Sequence, residues 1–152
     1  MSNFVAPLLG FRFKVEITGY TSGQDTNWSS VKGITKTLGV EELYEGGAPR
    51  VVYHLPTIVK YDDLVLERGI ISASSSLYTW CKSTIDNEKP AKGYIKCKDI
   101  KVHLLNSSGS PIYSWQFIGA YPVAMAVGAF DATKDDVVIE TITFKYNSFE
   151  KI

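Results

Sequence analysis

Between Pro111 and Phe144 the chain reads PIYSWQFIGAYPVAMAVGAFDATKDDVVIETITF, a stretch patterned mainly with a period of two residues. That period sends alternate side chains to opposite faces of an extended strand. Ile112 to Ile118 puts Tyr113, Trp115 and Phe117 on one face. Tyr121 to Val127 is apolar on both faces, with Val123 and Met125 opposite Ala124 and Ala126, as expected of a strand covered on two sides. Val137 to Tyr146 puts Val138, Ile142, Phe144 and Tyr146 on one face and Thr141, Thr143 and Lys145 on the other. A mainly β fold follows.

The rest of the chain agrees. Phe11, Phe13, Val15 and Ile17 alternate with Arg12, Lys14, Glu16 and Thr18 in a half-buried strand. Gly19 to Ser30 reads as a loop pinned by Trp28, and Val31 to Tyr44 as an extended stretch bent or bulged at Gly33 and Gly39. Glu45-Gly46-Gly47-Ala48-Pro49 is a turn, after which Arg50 to Leu55 returns as a strand, so the two arms make a long hairpin with a polar tip. Tyr61 to Glu67 is a short strand, and Ile100, Val102 and Leu104 belong to another, with a turn at Asn106 to Pro111 leading to its hairpin partner. The spacing of Leu77, Trp80 or Cys81, and Thr84 or Ile85 predicts one helix over Ser72 to Ile85, capped by Ser72 or Ser74. Glu88 to Gly93 is a loop.

At 152 residues the chain fits a single domain, 1–152, large enough to build a core without metals or disulfides. Lys plus Arg and Asp plus Glu number 16 each, so no overall field draws it to nucleic acid or an anionic membrane. The first residues lack a basic segment ahead of an apolar run and are broken by Pro7 and Gly10, so we expect no signal peptide, no membrane anchor, and folding in the cytoplasm. Cys81 and Cys97 have neither CxxC spacing nor a histidine pair nearby, and are expected to be free thiols.

No pattern of catalytic residues emerges. His54 and His103 lie in different strands, and a histidine base needs an orienting carboxylate that sequence does not place. The pairs Glu41-Glu42, Asp62-Asp63 and Asp135-Asp136 point to opposite faces of a strand and cannot converge by themselves. Gly46-Gly47 precedes Ala-Pro-Arg and so forms no phosphate loop. Lys96, Lys98 and Lys101 lack the interleaved aromatics of a nucleic-acid strand. We expect no enzyme, no cofactor and no metal. Patterning alone leaves two alternatives: a chain that pairs with other chains through exposed strand edges, and a monomeric β-sandwich module that binds carbohydrate or protein through Tyr113 and Trp115.

The order and spacing of several short pieces separate these alternatives. They are Phe11-Arg-Phe-Lys-Val-Glu-Ile17, Val31-Lys-Gly-Ile34, Glu45-Gly-Gly47, Leu55-Pro56 with Leu64 to Gly69, Leu77 with Trp80, Pro111 to Trp115, Tyr121-Pro-Val123 and Ile139-Glu-Thr-Ile142. In this order they resemble the tube proteins of contractile phage tails and phage-derived injection machines, relatives of the haemolysin-coregulated proteins of type VI secretion. The chain departs from the pattern at Thr57, at Ala124-Met125 and at Tyr146-Asn-Ser-Phe149. The resemblance implies two packed antiparallel β-sheets in a barrel-like sandwich, one flanking helix and an extended hairpin arm. It further implies hexameric rings stacked into a tube, a contractile sheath, baseplate or hub and terminator proteins as partners, and cargo in the lumen. Carried onto this chain, it places Glu45, Gly46, Gly47 and Arg50 near the tip of an arm that contacts a neighbouring protomer or ring. Thr141, Thr143 and Lys145, the polar face of the last strand, then become candidates to line the lumen.

Overall fold

The computed structural model describes residues 12–19, 27–47, 51–69, 76–86, 95–128 and 139–152. Their strands are β1 (Arg12–Ile17), β2 (Asn27–Trp28), β3 (Ser30–Lys32), β4 (Lys36–Glu45), β5 (Val51–Tyr61), β6 (Leu64–Gly69), β7 (Lys98–Leu105), β8 (Pro111–Val127), β9 (Ile139–Lys145) and β10 (Ser148–Lys151), with one helix, α1 (Ser76–Ile85). All pairings are antiparallel. The mainly β expectation holds, with one flanking helix and a hairpin standing apart.

Eight strands run in the order β2-β1-β7-β8-β9-β6-β3, with β10 beside β8. β8 joins two layers. Its first half pairs with β7 and β10, and its second half with β9. At the other side a single segment does the joining: Asn27 and Trp28 pair with β1, and Ser30 to Lys32 pair with β6. Between them, the Ser29 amide and hydroxyl both donate to the Glu67 carbonyl at 3.0 Å. The two layers are thereby joined on both sides, as in a barrel, which removes most of the open edges such sheets would carry. The stretch expected to be a loop around Trp28 is thus partly strand, and Trp28 itself is buried.

The register stacks the interior in layers. Ile17, Ile100 and Phe117 form one, Val15, Val102 and Trp115 the next, and Phe13, Leu104 and Tyr113 the last. Burial falls along this series, from three fully buried or nearly buried side chains to a partly covered set in which Tyr113 is 43% exposed. The other layer adds Leu64, Leu66, Ile142 and Phe144. Helix α1 packs Leu77, Trp80 and Cys81 inward, with Trp80 5.8 Å from the Phe144 ring and its Nε1 donating to the Lys96 carbonyl at 2.9 Å. The proposed capping residues Ser72 and Ser74 and the 88–93 loop lie outside the described residues. Both cysteines are free thiols, Cys81 buried and Cys97 exposed.

Among the described residues one charged side chain is buried in this interior. Arg68, on β6, is buried, with its Nε 3.2 Å from Glu140 of β9 and its guanidinium 4.4 Å from the Trp28 ring centroid. It therefore ties β6 to β9 and to β2 across the seam. Arg68→Ala would leave the Glu140 carboxylate without this partner and Trp28 without its lid. Breaking such a pair costs about 3–5 kcal/mol, which urea unfolding should register as a lower midpoint with an unchanged slope.

Candidate functional site

The sequence-derived site residues fall on two surfaces. The first is the β4–β5 hairpin, which forms a two-stranded sheet of its own. Its strands are 10 and 11 residues long, so the ribbon extends about 33 Å at the usual rise per residue. Nearly all of it is exposed, including Leu43 (53%), Tyr44 (67%) and Ile58 (71%). At Gly39 the register slips, so that β5 contributes one extra residue between Val59 and Pro56. This bulge decides which side chains share a face beyond it. Leu43 opposes Tyr53, Glu41 opposes Leu55, and Glu45 opposes Val51; Val40, Glu42 and Tyr44 oppose Pro56, His54 and Val52 on the other face. Tyrosine hydroxyls order the acids, with Tyr53 donating to Glu45 at 3.0 Å and Tyr44 to Glu42 at 2.8 Å. Glu45, Gly46 and Gly47 do lie at the tip, whereas Arg50 lies outside the described residues.

The arm is rooted firmly. Gly33, at φ 88°, turns the chain from β3 into β4, and a Cβ there would collide with the Asp63 carbonyl, so only glycine fits. On the β5 side, Tyr146 donates its hydroxyl to the Asp62 carbonyl at 2.6 Å, and the Lys145 ammonium bonds Asp63 at 2.9 Å. Rings complete the root. Tyr61 lies 5.8 Å from Tyr146 and 5.5 Å from Phe149, and Phe117 lies 4.8 Å from Tyr146, mostly edge to face.

The second surface is the outer face of the β3-β6-β9-β8 layer. Ile142 and Phe144 point inward, while Thr141, Thr143 and Lys145 point outward, as the alternation required. Thr141 is flanked by Glu67 and Ala126, and Thr143 by Val65 and Ala124. The face is small and polar, and its charges are paired locally, Lys32 with Glu67 at 3.0 Å and Lys145 with Asp63. Lys145 thus serves the arm root as well as the face. Val123 to Val127 finds less cover than its sequence calls for: Val123 and Val127 are exposed, and the β7 pairing stops at Ala120, leaving the far edge of this segment unpaired among the described residues.

Two further features bear on function. His103 does meet a carboxylate: its Nε2 lies 3.4 Å from Glu16, and Nδ1 shares a 2.6 Å hydrogen bond with Ser114. Partial burial raises the Glu16 carboxyl, but hydrogen bonds from Lys14 and His103 and their charges outweigh this and leave it lowered. All three residues sit side by side on the outward face of adjacent strands, opposite the face that forms a hollow, and read as a cross-strand polar ladder. That hollow is an open groove of about 730 Å³ at the less-buried end of the barrel, lined by Phe13, Val31, Ile34, Leu104, Trp115 and Phe149 with Lys36 and Lys151 at its margin. The sequence marks Trp115 but not the groove, because Phe149 and Lys151 belong to a short final strand, β10, that side-chain alternation does not reveal. Among the described residues no cluster of three His, Cys, Asp or Glu could hold a metal, and no helix is long and apolar enough to cross a membrane.

A sequence model of the family described as "T4-like virus tail tube protein gp19" matches residues 9–150. The chain belongs to this family. Among solved structures it is similar to a chain of the anti-feeding prophage baseplate, at 25% identity and TM-score 0.78, covering 100% of this chain and 97% of that one. It also resembles a chain of the sheath–tube complex of an extracellular contractile injection system, at 20% identity and TM-score 0.72, covering 99% and 93%. Hcp1 from Flavobacterium johnsoniae shares the fold at 13% identity and TM-score 0.52, covering 92% and 94%. No curated protein sequence matches. The resemblance to tail tube proteins read from the sequence is therefore correct: the chain is a member of a tail tube protein family and has its fold.

The root of the tail tube protein's arm should report on pH. Burial first, and then the negative charges of Asp62 and Asp63, push the Tyr146 hydroxyl from 10.0 up to about 12. The folded state holds this proton while the unfolded chain releases it, so the associated stability is intact below pH 10 and is lost as pH rises from 10 towards 12. Thermal unfolding of wild type should steepen its decline across that window, and Tyr146→Phe should show a shallower decline from a lower starting stability.

Proposed function

We propose that this chain is the inner-tube subunit of a phage tail or phage-like injection particle. Six copies form a ring, rings stack into a rigid hollow tube, and contraction of a surrounding sheath drives that tube through a target envelope with DNA or protein cargo in its lumen. Baseplate or hub proteins and a terminator bound the tube at its ends. The protein works mechanically, without catalysis or cofactor, as a single tube domain assembled in the particle after synthesis in the cytoplasm.

The observation that carries this reading is the contrast between a joined barrel and what it leaves uncovered. The arm exposes apolar side chains on both faces, and the end of β8 exposes apolar side chains beside an edge that is unpaired among the described residues. Contiguous apolar surface and free strand edges are signs of contact with another chain. In the assembled tube the arm contacts the neighbouring protomer or ring, and the β8 edge joins a neighbour's sheet, so that its N–H and C=O groups are satisfied around the ring. The outer face of β9, with Thr141, Thr143 and Lys145, then lines the lumen.

Negative-stain electron microscopy of the purified, untagged chain across a concentration series, with light scattering in parallel, tests the assembly. Six-fold rings or stacked tubes are expected. A compact monomer at every concentration would favour a binding module acting through Tyr113 and Trp115. For the lumen, Thr141→Arg and Thr143→Arg should change the cargo retained in particles while rings still form. Lys145→Ala should differ from both, because losing the bond to Asp63 loosens the arm and lowers ring yield.

A further inference from the structure

We infer that the groove at the open end of the barrel is the receptor for the arm of a second copy, gripping the arm face that carries Leu43, Tyr53 and Leu55 between Glu41 and Glu45. The inference rests on the reading of the arm as an assembly element and adds the surface that receives it.

The groove is an unfinished core. Phe13, Leu104 and Trp115 continue the inward-facing layers of β1, β7 and β8, yet no further layer closes over them among the described residues. Tyr113 adjoins the groove-lining Trp115, with 6.1 Å between ring centroids and the ring planes inclined by 30°. Two ammonium groups frame it. Lys151 stands 4.2 Å from the Tyr113 ring centroid, and Lys36 stands 5.1 Å from that of Phe149. Neither makes an ion pair among the described residues. An occupant should therefore be apolar at its centre and acidic at its flanks.

The arm has that composition. Leu43, Tyr53 and Leu55 are 53%, 46% and 43% exposed on one face, and Glu41 and Glu45 belong to the same face. Between Leu38 and Val59 the sequence carries three glutamates against one arginine, Arg50, and no lysine. Charge complementarity of this kind sets register and partner choice more than affinity. A chain's own arm is not the occupant, since Lys36 is the one residue of the ribbon that lines the groove and β4 and β5 remain paired with each other along their length. The tip of one copy would meet the arm root of the next, a heterologous contact that repeats in rings or stacks.

The test places a photo-crosslinking residue at Leu104 in the full chain, mixes isotopically light and heavy protein, irradiates, and maps products by mass spectrometry. Mixed light–heavy crosslinks to residues 40–45 or 51–56 are expected. Mixed crosslinks elsewhere on a second copy would overturn the groove assignment while leaving the arm as an assembly element. Crosslinks only within one chain, to residues 1–11 for instance, would make the groove an internal docking site and overturn the inference. A chain that yields no mixed product and stays monomeric would overturn both readings. Charge exchange supplies the second measurement, on variants that keep the wild-type circular dichroism spectrum. Lys36→Glu with Lys151→Glu should reduce assembled material at least tenfold, and adding Glu41→Lys with Glu45→Lys should restore most of it. Undiminished assembly by the double lysine variant would also overturn the inference.

Discussion

The joining of two β layers at residues 27–32 is the constraint on which the rest of the structure rests. This segment links the ends of the two layers by pairing with β1 through its first residues and with β6 through its last. Ser29 makes the change of partner possible by donating twice to one carbonyl of Glu67. Just inside the seam, Trp28 and Glu140 hold Arg68, a charge that would be costly in the interior without such company. With the layers fixed, the inward alternation of β1, β7 and β8 converges into stacked layers rather than an open sheet.

That joining also explains where surplus apolar surface is found. The barrel uses its hydrophobic side chains economically, whereas the arm gathers leucine, valine, isoleucine and tyrosine on a ribbon with no third strand and no helix against it among the described residues. A lone hairpin is marginal in water. Here it is held at its root by a glycine that no other residue can replace, by bonds from Lys145 and Tyr146, and by a group of interlocking rings. The arm is therefore fixed in direction at its base while remaining uncovered along its length, the combination expected of a component that docks on something else.

Much of this could be read from the chain. The period-two strands, the hairpin closing at Gly46-Gly47, the break at Gly33 and the bulge at Gly39 all follow from side-chain alternation and turn chemistry, which are local. The outward placement of Thr141, Thr143 and Lys145 follows as well. What stayed hidden depended on distant partners. Asn27-Trp28 is too short to announce itself as a strand, and Ser148 to Lys151 follows a segment that already seemed complete. The groove needs residues from β1, β7, β8, β10 and the β3–β4 turn to meet, and the union of Lys145 with Asp63 spans most of the sequence. The full apolar demand of Val123 to Val127 was legible, but among the described residues it is met only in part.

The bulge at Gly39 carries a consequence for how such a protein can change over time. Beyond it, every side chain of β5 takes its face from the single extra residue between Val59 and Pro56. Insertion of one residue between Leu55 and Pro56, with the bulge kept, would move Tyr53 and Leu55 across the ribbon to join Val40 and Tyr44 and separate them from Leu43. Substitutions along the arm can therefore accumulate one at a time, but its length can be altered without scrambling its faces only by changes that preserve parity. Related arms should differ in reach by whole pairs of residues, or should shift the position of the bulge instead.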